Sequence, residues 1–200
     1  ERLPFVFNHP FWYEPGEKPN FRAVFEIADL FPVLEYNMGR IRRINEQALR
    51  LACAKGKGIV AATDTHVGNI GRAFTVALGR TFDEFFGRIR TGQSFIVPAD
   101  LTLSSLKEET AIRLRSLFDK RGWLFPRDSL ALETGNALLD RIIGRLARTR
   151  QEAPGFADRM LRKILETLSR SGIPASLYVR SQKNLAVRVG ELLESMESAA

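Results

Sequence analysis

Gly58 to Ala62 is a run of glycine, β-branched and small apolar residues, the composition of a strand buried on both faces of a parallel sheet. Thr63-Asp64-Thr65-His66 comes directly after it and sets an acid and an imidazole two residues apart. Strand residues i and i+2 share a face, so an extended chain would carry Asp64 and His66 off the strand's carboxyl end towards one point. In parallel α/β sheets that end is where binding sites form. A carboxylate oxygen and an imidazole nitrogen together suit a divalent metal. The same pair also reads as ordinary loop polarity.

Two hundred residues are enough to bury a proper core in one or two domains. No apolar run approaches the roughly 18 residues that cross a bilayer, and no secretory signal opens the chain. No membrane partner and a cytoplasmic location are therefore expected. Cys53 is the only cysteine; it excludes an intramolecular disulfide and, beside Leu51 and Ala52, reads as a small core residue. The net charge of +7 is uneven, +2 over residues 1–100 and +5 over 101–200. A basic surface attracts phosphates or nucleic acid. The excess, however, is arginine scattered along helices, which solvated helix faces explain.

Strand-like segments recur at Phe5–Phe7, Val33–Tyr36, Ile59–Ala62 and Ser94–Val97. Between them, Phe21–Phe31 and Arg40–Ala54 carry apolar residues at helical spacing. Thr81-Phe82-Asp83-Glu84 has the capping-box pattern of a helix that Gly92 closes. This alternation predicts parallel βαβ units. Pro98-Ala99-Asp100 breaks it, and the remainder of the chain reads as helical. A capping box at Ser105–Glu108 opens a helix to about Lys120. One apolar stripe runs from Leu138 to Ala147, and a second from Met160 to Leu168 is ended by Gly172 and Pro174. A last helix covers Asn184 to about Ser195. The expected division is an α/β portion over 1–100 and a helical domain or appendage over 101–200.

The chain's two histidines, His9 and His66, both fall at carboxyl ends of expected strands. Asn8-His9-Pro10, Leu34-Glu35-Tyr36-Asn37-Met38-Gly39, a long helix, Ala62-Thr63-Asp64-Thr65-His66, the stretch from Gly68 to Thr75 and Gly79-Arg80-Thr81 succeed one another in that order. A helix ending in Arg90-Thr91-Gly92 closes the series. In order and spacing these pieces resemble the carboxyl-terminal half of the polymerase-and-histidinol-phosphatase (PHP) superfamily, over residues 3–98. The resemblance implies the carboxyl-terminal part of a distorted (β/α)7, TIM-like barrel and metal-dependent hydrolysis of phosphoesters. It implies His9, Asp64 and His66 as ligands of zinc, manganese or iron, and a phosphorylated small molecule or nucleotide as substrate.

The family's upstream His-x-His has no counterpart here. This chain alone is therefore expected to be inactive, starting mid-fold, and to associate with the missing amino-terminal half of the barrel or with itself. Duller readings stand beside the sharper ones. His9 can cap a strand by bonding to backbone. Glu35 either orients a ligand histidine or is structural. Arg72 clamps a substrate phosphate or makes a surface salt bridge. Phe11, Trp12 and Tyr13 line a substrate mouth or tuck into the core. The alternative function is a non-catalytic PHP-like scaffold whose basic helices bind a partner or nucleic acid.

Overall fold

A computed structural model of the chain describes residues 4–13, 18–65, 70–118, 141 and 156–198. It divides into two compact units, one of Glu1–Trp12, Pro19–Thr102 and Val179–Ala200, the other of Tyr13–Lys18 and Leu103–Tyr178.

In the first unit, α1 (Phe21–Ala28) starts where the Asn20 side chain accepts a hydrogen bond from the Ala23 N–H, satisfying one of the donors a helix start leaves over. Val33–Asn37 then forms β1, and every one of its five residues is buried, Glu35 and Asn37 included. Such a strand has neighbours on both edges. Phe7 bridges to Leu34 on one side, and β2 (Gly58–Ala62) pairs along the other, from Val33↔Gly58 to Asn37↔Ala62. Both pairings are parallel. The crossover α2 (Arg42–Ala54) turns Ile44, Ala48, Leu51 and Ala52 inward, and Leu34 and Leu51 are completely buried. Burial of side chains of this size stabilises by roughly 1.5–3 kcal/mol each. Cys53 is exposed, not in the core as the sequence predicts. It lies one residue beyond the buried pair Leu51 and Ala52, where the helix has already rotated its face outward.

Beyond β2 the parallel pattern stops. β3 (Phe74–Ala77), a strand the sequence does not predict, pairs with β4 (Ser94–Val97) antiparallel, with α3 (Phe82–Arg90) between them. Thr75 and Ile96 are half-buried on the inner face, while Phe74, Val76, Phe95 and Val97 lie exposed on the outer one. The Ala61 N–H of β2 donates to Thr75 Oγ1 at 2.8 Å. The box at α3 forms as expected, with Thr81 Oγ1 accepting from the Glu84 N–H, but the Glu84 carboxylate reaches back to the N–H of Arg80 rather than that of Thr81. Mixed α/β architecture is thus observed. Among the described residues the strands form two two-stranded sheets, and no closed barrel.

The second unit contains α4 (Leu103–Phe118) and α5 (Phe156–Ser171), which pack together. α4 starts two residues before Ser105, so the Ser105–Glu108 box lies inside the helix. The stripe from Leu138 to Ala147 lies outside the described residues. Of the Met160–Leu168 stripe, Met160, Ile164 and Leu168 are exposed. The last helix, α6 (Ile173–Glu197), begins eleven residues before the expected Asn184. Pro174, read from sequence as a stop, sits at the start of a helix, where a missing N–H costs nothing. From Val179 onward α6 belongs to the first unit. There Ala186, Val189 and Leu193 are buried, and Arg188 lies over the Phe21 ring. No helix among the described residues is long and apolar enough to cross a membrane.

Gly58 opens β2 against α3, and a Cβ there would run into the Ile89 carbonyl. Gly58→Ala is expected to cost about 1–3 kcal/mol in urea unfolding through overpacking. Gly87→Ala, in helix α3 with nothing within 4 Å of its Cβ, is expected to be neutral or to stabilise by up to about 1 kcal/mol. Equal effects would contradict this packing.

Candidate metal centre

Alternation along β1 puts Glu35 and Asn37 on the same side of the strand, and both are buried, at 4% and 1% exposure. A buried carboxylate is costly unless donors surround it. Glu35 Oε2 accepts from the His9 main-chain N–H at 2.9 Å and from Asn37 Nδ2 at 3.1 Å, and faces His9 Nδ1 at 2.9 Å. His9 Nδ1 also lies 2.6 Å from Asn37 Nδ2, a contact that would suit an accepting nitrogen. The charged carboxylate outweighs the neutral amide, so Nδ1 carries the proton. Asn37 cannot turn over to relieve the contact, because its Oδ1 accepts from the Gly39 N–H at 2.6 Å.

With Nδ1 engaged, Nε2 points the other way, to within 3.8 Å of Asp64 Oδ1. Both side chains are 30% exposed. Among the described residues, His9 and Asp64 are the two non-glycine residues with positive φ, at 49° and 46°. That conformation costs about 1–2 kcal/mol for a residue with a Cβ, so each is held there by its surroundings. For His9 the holding bond is visible: its N–H is taken by Glu35. Asp64 lies two residues past the end of β2 and is not extended. The i, i+2 rule for strands therefore does not reach it, and its approach to His9 comes from the left-handed turn.

The titration of the pair follows from the same contacts. The hydrogen bond to Glu35 holds His9 above its ordinary pKa, against the opposing effect of burial. Burial pushes Glu35 upward, but its hydrogen bonds from His9 and Asn37 together outweigh it and leave the carboxyl below its ordinary value. Burial and then the bond to Asp100 push the Tyr36 phenol well above its usual range, so it stays a donor.

Donor chemistry fits a cation on the Nε2 side. Bonds of about 2.0–2.2 Å to nitrogen and oxygen let two donors of one ion lie up to about 4.2 Å apart, and 3.8 Å falls inside that reach. Glu35 behind the ring is the carboxylate that commonly orients a metal-binding histidine. Space beneath the ring, among Phe11, Arg40 and Ile44, amounts to about 10 Å³, too small for a ligand. Among the described residues no group of three or more His, Cys, Asp or Glu is arranged to hold a metal. His66 lies outside the described residues. Arg72 is exposed in the bend before β3, with no hydrogen bond or ion pair to this cluster among the described residues. Phe11 is core, whereas Trp12 is exposed beside the His9 ring, with Arg40 over its face.

Three residues of this polar cluster, Asn37, Asn45 (bonded to the Asn37 main chain) and Asp100 (bonded to the Tyr36 hydroxyl), carry no sequence signal of the ligand kind. Asn37 is visible in the sequence only as a polar strand end. Asn45 interrupts the apolar face of α2, and Asp100 stands in the break after β4. A buried amide on an apolar helix face is the one signal that could have found Asn45. No family model, curated protein or solved structure matches this chain.

Linkage gives the His9–Glu35 pair a defined pH window. A raised histidine contributes fully below its unfolded value of 6.5 and loses its contribution as pH rises through the folded value; a lowered carboxyl contributes fully above 4.5 and loses it as pH falls. The melting-temperature advantage of the wild type over Glu35→Gln is therefore expected to be largest between pH 4.5 and 6.5. An advantage as large at about pH 9 as at about pH 5.5 would contradict the pairing.

Proposed function

We propose that this chain supplies part of a hydrolytic metal centre acting on phosphoesters, with His9, Asp64 and His66 as its ligands. The observation that carries the reading is the His9–Asp64 approach, with the far side of the imidazole fixed by a buried carboxylate. His9 Nε2 and Asp64 Oδ1 would hold the cation, and His66, known here only from sequence, would join them. A bound zinc, manganese or iron ion would polarise a phosphoryl oxygen and lower the pKa of a coordinated water. The chain's own residues bind and orient. Glu35 keeps the Nδ1 proton in place so that Nε2 offers its lone pair, and Asn37 holds Glu35. Trp12 is placed to shield one side, and Arg72 would clamp a phosphate of a small phosphorylated molecule or nucleotide. The family resemblance adds the barrel and an amino-terminal half carrying further ligands, without which the chain is inactive.

A second reading is favoured by a different observation. A cleft of about 870 Å³ at the start of β4 is lined by Arg80, Arg88 and Arg90, with Glu84 its single acid. Such a cleft suits a scaffold that binds a polyanion, nucleic acid included.

Zinc or manganese titrated calorimetrically into the intact chain is expected to bind, and His9→Ala or Asp64→Asn to weaken binding about tenfold or more. Affinity is expected to fall as pH drops below the raised His9 value, since the proton and the metal compete for Nε2. Failure of the wild type to bind either metal would remove the reading. Steeply salt-dependent binding of an oligonucleotide, lost in Arg88→Ala, would favour the second.

A further inference from the structure

The ladder between the Phe7 segment and β1 is interrupted in a way that names its own repair. The Phe7 N–H donates to the Val33 carbonyl, and the Glu35 N–H donates to the Phe7 carbonyl. Parallel pairing repeats every two residues, so the next rungs belong to His9 against Glu35 and Asn37. They are not made. His9 has turned to a φ of 49°, and its N–H goes to the Glu35 side chain instead of a strand carbonyl. The Asn37 carbonyl is served by the Arg40 N–H at 3.0 Å, but the Asn37 N–H, which this pattern would pair with the His9 carbonyl, would be left unpaired in a buried position.

Asn45, on α2 and 1% exposed, fills the vacancy. Its Oδ1 accepts from the Asn37 N–H at 3.1 Å, and its Nδ2 donates to the Asn37 carbonyl at 2.9 Å. A side-chain amide has the same donor and acceptor as a peptide group; here its oxygen stands in for the His9 carbonyl, and its nitrogen adds a second bond to the carbonyl that the Arg40 N–H already serves. Asp100 fixes the amide's orientation. Its Oδ1 accepts from Asn45 Nδ2 at 2.9 Å and from the Tyr36 hydroxyl at 2.7 Å.

We propose that Asn45, oriented by Asp100, is a positioning residue for His9: by replacing the departing strand it lets His9 leave the ladder and present Nε2 towards Asp64. The value of that placement for metal binding rests on the function proposed above; the placement itself does not. The effect runs through Asn37, whose side chain touches His9 and Glu35 and whose main chain Asn45 holds.

The test is nitrogen NMR of the two His9 ring atoms in the isotope-labelled intact chain, with zinc affinity measured alongside. Asn45→Ala is expected to shift both His9 ring signals and to weaken zinc binding about tenfold or more. Leu51→Ala, one of the buried α2 positions without a polar role, lowers stability through cavity formation and is expected to leave the His9 signals in place. A folded Asn45→Ala protein with unshifted His9 signals would overturn the inference, as would an equal shift in Leu51→Ala. Should Asn45→Ala not fold, Tyr36→Phe removes one donor from Asp100 and is expected to give a smaller shift of the same signals; no shift there overturns the inference equally. Shifted signals in a chain that binds no zinc would support the positioning role and sink the metal reading. Unshifted signals with unchanged zinc affinity would do the reverse.

Discussion

The buried carboxylate of Glu35 is the constraint on which the α/β unit turns. It sits in the middle of a strand flanked on both edges, where an acid without donors would be intolerable. Three groups gather on a single oxygen, the His9 N–H, the His9 ring and the Asn37 amide. Two of them come from a residue that must abandon extended geometry to reach it. The left-handed turn at His9 and the direction of its ring are thus two results of satisfying one charge.

That solution displaces a cost to the neighbouring main chain, and α2 absorbs it. A helix that crosses between two parallel strands ordinarily offers the sheet an apolar face, as Ile44, Ala48 and Leu51 do. Placing an amide among them would be destabilising in isolation. It is stable here because every polar atom of Asn45 meets a partner: the main chain of Asn37, the Arg40 carbonyl and Asp100. The network is closed, the condition under which a buried polar group specifies a structure rather than weakening it.

The legible parts of this chain are those governed by local periodicity. β2 and α2 follow from a short apolar run and a helical stripe, β1 from Val33, Leu34 and Tyr36, and α3 from its capping box. β3 escapes because four residues flanked by polar turns give too little alternation to stand out, and its antiparallel pairing depends on β4, about twenty residues away. Pro174 misleads because the same missing N–H that ends one helix is harmless at the start of the next. In the site, residue type alone points to His9 and Asp64. The reason they approach each other is hidden, since it lies in two φ values that no motif encodes. Glu35 can be read from sequence as orienting a ligand histidine or as structural; the geometry shows it bonded to both the main chain and the ring of His9. Asn45 and Asp100 act through contacts 8 and 55 residues apart in sequence, which no single-chain pattern joins.

The hydroxyl of Thr75 receives an amide proton from the outer edge of β2, where a strand would ordinarily offer a carbonyl. One side-chain oxygen is a thinner seam than a row of peptide rungs. Phe74 and Phe95 face outward, so between the two layers the strands themselves offer only the half-buried Ala77 and Ile96 as apolar side chains, and the closer packing falls to α3, whose Ile89 backs onto Gly58. The β3–β4 pair is thus joined to β2 through a helix and one hydroxyl rather than through a row of peptide rungs. Ala61 stands opposite Tyr36 in the β1–β2 register, so this hydroxyl lies one strand away from the polar cluster, and strain at the seam reaches the cluster across a single strand.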